Sequence, residues 1–75
     1  MTKEMTKYQT VGYELFRQSA NKVFTHAVIF FNNAHDEIGA TFNVSLKLAQ
    51  ADALKINKYS HIDVLEIVEC VKVGA

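Results

Sequence analysis

Apolar and polar residues alternate along Thr41 to Leu48, where Phe42, Val44, Leu46 and Leu48 are separated by Asn43, Ser45 and Lys47. A period of two predicts a half-buried strand with these four apolar side chains on one face. From Ala49 onward helix formers take over, and Ala49, Ala53 and Ile56 recur at helical spacing. That narrow stripe predicts a short helix lying on a sheet. Asp52 suits its first turn and Lys55 and Lys58 its end, while Asn57 to Ser60 reads as the exit. Ile62 to Val73 then predicts the longest strand. Ile62, Val64, Val68 and Cys70 are expected on one face, and Leu65, Ile67, Val71 and Val73 on the other. Glu66 and Glu69 interrupt the pattern. A strand apolar on both faces belongs in the middle of a sheet, so this one is expected to be the most buried. Phe42 to Val71 is the unit around which the rest must pack.

The amino-terminal half repeats the two-faced pattern. Val23 to Asn32 places Phe24, His26, Val28 and Phe30 on one face and Val23, Thr25, Ala27, Ile29 and Phe31 on the other. Tyr8 to Gln18 fits two periods. Val11, Tyr13 and Leu15 share a strand face, while Tyr8, Val11, Gly12, Leu15 and Phe16 also form a helical stripe. Glycine inside a helix costs about 1 kcal/mol relative to alanine. A strand is preferred, because Ser19 to Lys22 then becomes a hairpin turn into Val23. Asn32 to Gly39 reads as a polar loop, and Met1 to Lys7 as a disordered start.

The resulting expectation is one α+β domain over residues 1–75: a four-stranded sheet, βββαβ in chain order, with one helix packed on a face. One short helix covers one face only. The other is expected to be covered by a second copy, by a partner, or by the amino-terminal segment if that is helical.

Composition narrows the function classes. Eight basic and eight acidic side chains cancel, which removes the electrostatic footprint of a nucleic-acid binder. Half the residues are hydrophobic, which argues against disorder over most of the chain. A domain this short draws only about 3–5 kcal/mol from its core, so self-association is a reasonable second source of stability. The single cysteine, Cys70, cannot form an internal bridge and points to a reducing compartment. Met1 to Gln9 is polar and no apolar run is long enough to span a bilayer, so a soluble cytoplasmic protein is expected.

Candidate chemistry is sparse. His35, Asp36 and Glu37 share a loop, but a zinc site wants three or four ligands at fixed geometry, and a solvated loop explains them. His61 and Asp63 fall on one strand face as a possible hydrogen-bonded pair, whereas the parity of Cys70 sends its thiol to the opposite face. No enzyme activity, metal or cofactor is expected. His26 reads as a satisfied histidine on a sheet face. The aromatic residues could stack on single-stranded nucleic acid, but the basic residues that would hold its backbone are dispersed. The acidic residues Asp36, Glu37, Asp63, Glu66 and Glu69 are the candidate partner-binding set, suited to a basic groove; their bland reading is a solvated face.

Phe42-x-Val44, Ala49 at a strand-to-helix junction, Asp52-Ala53-Leu54, and Ile62-Asp63-Val64 leading to Cys70 resemble small bacteriophage proteins that inhibit host machinery, especially the podovirus inhibitor of bacterial RNA polymerase. The inhibitory arginines of that family fall at Glu66 and Val68 here, so the same target is not implied. The resemblance implies a small protein without an active site that binds and inhibits a host protein, such as a defence complex. A single-stranded nucleic-acid-binding module and a structural homodimer are the alternatives.

Overall fold

A computed structural model describes residues 4–73. Among them the chain forms β1 (Thr6–Thr10), β2 (Phe16–Ser19), β3 (His26–Asn32), β4 (Glu37–Asn43), α1 (Leu46–Ile56) and β5 (Ile62–Val73). The fold is α+β, with a five-stranded antiparallel sheet that is nearly barrel-shaped and ordered β2-β1-β5-β3-β4. β5 is the axis. Ile62 to Glu69 pair with β3 on one edge, and Cys70 to Val73 pair with β1 on the other. The β1–β2 pair thus extends one end of the molecule, which measures 42 × 25 × 24 Å. β4 and β5 are both antiparallel to β3, so they run parallel and α1 is the crossover that parallel strands need.

The fifth strand corrects the expected βββαβ order. Tyr8 to Gln18 is neither one strand nor a helix; it breaks at Val11–Leu15 into a hairpin that pairs Thr6 with Ser19. Gly12 takes φ +90 and Glu14 φ +54, the left-handed conformations that reverse the chain. The Thr10 amide donates to the Leu15 carbonyl at 2.9 Å, and the Thr10 hydroxyl accepts from the Leu15 amide at 3.2 Å. Of the expected disordered start, Thr6 and Lys7 belong to β1, and residues 1–3 lie outside the described residues. Ser19 to Lys22 does bend the chain, with the Ser19 hydroxyl accepting from the Asn21 and Lys22 amides. It is not a hairpin turn. β2 goes to the outer edge beyond β1, and β3 pairs with β5 and β4 instead.

The boundary between strand and helix also moves. The Ser45 hydroxyl accepts from the Leu48 amide at 3.2 Å and caps a helix that starts at Leu46, not Ala49. Capping overrides the alternation, so Leu46 and Leu48 leave the strand face and sit exposed on α1. Asp52 consequently lies beyond the first turn, where its carboxylate accepts from the Thr41 hydroxyl and the Asn43 side-chain amide. The expected loop of Asn32 to Gly39 tightens to a turn, because the Asn32 side chain accepts from the Ala34 and His35 amides and Asp36 takes φ +56. Gly39 belongs to β4, where the far end of the Phe30 ring comes close to it; a Cβ there would stand 2.7 Å from Phe30 Cζ.

β5 begins and ends where expected, but its faces do not follow simple parity. The register with β3 shifts between Ile29 and Phe30, leaving Leu65 as an extra residue. After the bulge, Ile67 joins Ile62 and Val64 on the helix-covered face, and Val68 and Cys70 join Asp63 and Glu66 on the other. β5 is the longest strand but not the most buried. That place belongs to β3, whose Ala27, Val28 and Ile29 are wholly inaccessible.

The core has two layers. Under the helix, Ala49 and Val28 are fully buried. On the opposite face Phe24, from the segment just before β3, packs edge-on against Tyr8 at 5.4 Å and Phe42 at 5.7 Å between ring centres. The Arg17 guanidinium lies 5.5 Å from the Phe24 ring centre. Each such large side chain removed from water contributes about 1.5–3 kcal/mol. Over β3, then, the second apolar face is closed by the chain itself, without a second copy or a helical amino terminus. No helix among the described residues is long and apolar enough to cross a membrane.

Candidate functional site

The five acidic residues do not form one surface. Asp36 sits in the β3–β4 turn and Glu37 opens β4 opposite Asn32. Asp63, opposite Phe31, accepts from the Asn33 side-chain amide at 2.8 Å. Glu66, opposite Ile29, accepts from the Tyr13 hydroxyl, and that bond raises the Tyr13 phenol above its ordinary range. The bulge puts Asp63 and Glu66 on one face, whereas Glu69, opposite His26, faces the other way. Sequence alternation predicts a different split, Glu66 apart from Asp63 and Glu69, because the extra residue is specified by the partner strand.

The histidines and the cysteine do not meet either. His61 precedes β5 in a turn, and its carbonyl, rather than its ring, is tied to Asn33. Asp63 bonds Asn33, so the expected His61–Asp63 pair is replaced. The bulge brings Cys70 onto the same face as Asp63, against the parity argument, but the two remain about 20 Å apart along the strand. Burial pushes the Cys70 thiol up to about 11, which keeps it protonated and unreactive at neutral pH. His26 Nδ1 lies 2.9 Å from the Thr25 hydroxyl, a satisfied side chain as the sequence suggested. No group of three or more potential metal ligands gathers among the described residues.

One cavity, of about 260 Å³, opens beneath the carboxy-terminal end of α1, between Phe30, Thr41, Ile56, Tyr59, His61 and Ile62 with Asn32. It lies below the size range of typical ligand pockets. Its polar groups are largely engaged: the Asn32 side-chain oxygen holds the β3–β4 turn and the Thr41 hydroxyl donates to Asp52. The Tyr59 and His61 rings lean on each other at 5.9 Å. A wider depression of about 610 Å³ lies at the far end between β1, β2 and β5, lined by Glu4, Lys7, Gln18 and Lys72 among others. No residue pattern anticipated either hollow, since both depend on which strands become neighbours.

The dominant feature is apolar surface left over when the fold is complete. Among the described residues twelve large hydrophobic side chains are exposed, against six hydrophobic residues that are buried. Leu54 on the outer face of α1 is 73% exposed. Leu46, Leu48, Val44, Ile38 and Tyr59 are exposed on and around α1 and β4. At the other end α1 does not reach: it packs mainly on β3, β4 and β5. Phe16 of β2 and Val71 of β5 stay about half exposed there, with the Lys7 ammonium 4.0 Å above the Phe16 ring.

No family model, curated protein or solved structure matches the chain.

Proposed function

We propose that the chain is a non-enzymatic binding protein that acts by occupying a surface of another protein. The observation that carries this reading is the excess of exposed over buried large hydrophobic side chains. Exposed hydrophobic side chains that outnumber the buried ones suit a surface that another protein covers. Leu54, 73% exposed on the outer face of α1 beside Ala51, offers an apolar anchor. Asp36, Glu37, Asp63, Glu66 and Glu69 are candidates for a charged rim, but they lie on different faces, so one partner cannot use all five. Inhibition of a host protein, as small bacteriophage inhibitors perform it, is the form of activity that the sequence resemblance favours. A cytoplasmic setting suits the single free thiol.

The test is affinity capture from bacterial lysate with the intact chain, followed by reconstitution with the purified partner. A stoichiometric partner should be recovered, and Leu54→Lys should weaken it at least tenfold. Recovery of no stoichiometric partner counts heavily against the proposal. The nucleic-acid alternative lacks an open stacking platform: Tyr8 and Phe24 are core residues, and among the described strand residues Phe16 is the one exposed aromatic ring.

A further inference from the structure

The sheet has two outer strands among the described residues, and they are differently protected. β2 is four residues long and carries Arg17, and Lys7 reaches across from β1 to lie over Phe16. Short length and positive charge are the usual devices that keep a sheet edge from recruiting another strand. β4 has neither. It runs for seven residues, pairs with β3 without a register shift, and contains no lysine, arginine or proline. Its single charged residue is Glu37.

We infer that β4 pairs with β4 of a second copy, antiparallel about a two-fold axis at Ala40, so that two sheets become one. The strand is self-complementary in that register. Glu37 of each copy falls opposite the neutral Asn43 of the other, Ile38 opposite Phe42, and Gly39 opposite Thr41. No like charges are opposed, and a hydrophobic cross-strand pair forms twice. The chain's net charge of zero adds no long-range repulsion between copies. Ile38 is 46% exposed in the isolated chain and gains an aromatic neighbour. Both helices stay on one side of the joined sheet. Leu48 lies one turn before Asp52, whose carboxylate bonds Thr41, so this exposed leucine occupies the flank of α1 above the same edge.

This inference goes beyond the binding of a different protein and does not require it. Sedimentation equilibrium of the full chain at micromolar concentration should return twice the mass of one chain. Ile38→Lys, at an exposed position, should raise the dimer dissociation constant tenfold or more with an unchanged circular-dichroism spectrum, while Phe16→Lys on the other edge should leave the dimer intact. Hydrogen exchange on the unaltered protein gives a reading independent of any variant's folding: protection of the 37–43 amides should rise with protein concentration and that of β2 should not. A single-chain mass throughout, a dimer untouched by Ile38→Lys, or concentration-independent exchange in β4 overturns the inference. So does a monomer whose β4 edge is taken by a strand of another protein, a result that would leave the proposed function standing.

Discussion

β3 and β5 read almost alike, each apolar on both faces, yet the fold treats them differently. β3 has a strand on each side along its full length, α1 over one face and the Tyr8–Phe24–Phe42 cluster beside the other. Three of its residues are inaccessible. β5 divides its length between partners, Ile62 to Glu69 against β3 and Cys70 to Val73 against β1, and exposes Leu65 and Val71 by about half. Hydrophobicity on two faces is therefore a demand for cover, not a measure of it. What decides burial is how many neighbours the topology supplies.

The comparison breaks most readily at the cover of β3. Phe24→Ala should cost about 3–5 kcal/mol, and Ile29→Ala about 2–5 kcal/mol. In a domain with so small a margin either change should abolish the cooperative transition in urea. Cys70 tests the more open strand. At mildly alkaline pH its alkylation should be about a hundredfold slower than that of an unfolded thiol, following the smaller thiolate fraction. The raised value also carries a stability term with a defined direction. Burial favours the protonated thiol, so the contribution is complete below the ordinary thiol range and fades as pH rises through about 11. A Cys70→Ser variant should lose that part of the alkaline decline. Gly39→Ala drives a methyl into the Phe30 ring and should cost about 1–3 kcal/mol, read as a lower urea midpoint. Leu65→Gln, at the bulge of β5, should shift stability by less than about 0.5 kcal/mol, because the side chain already meets water.

The legible parts of the chain were those decided locally. The limits of β5 follow from dense β-branched residues after the turn at Asn57–Ser60, and the Ala49–Ala53–Ile56 stripe does face the sheet. The parts that escaped were decided by competition or by a distant partner. Gly12 was weighed as a penalty in a helix, whereas its left-handed backbone is what makes the β1–β2 turn. Ser45 sits in an alternating run, yet its hydroxyl ends the strand pattern by capping α1. Phe24 counts as a strand residue by periodicity, but it leads into β3 and closes a face that was expected to stay open. The grouping of the acidic residues could not be read from spacing: alternation puts Asp63 with Glu69, whereas the bulge against β3 puts Asp63 with Glu66.

The extra residue in β5 also gives the chain a tolerance at one position and a brittleness around it. Excising Leu65 would leave one continuous alternation with Val64 and Ile67 still under the helix and Glu66 and Val68 still on the other side, whereas flattening the bulge with Leu65 in place would turn Ile67 away from the helix and Val68 toward it. Length changes elsewhere in the strand would cause the same inversion without relieving any irregularity. A single supernumerary amino acid thus acts as the phase joint of the molecule, letting one twelve-residue strand serve two differently oriented interiors.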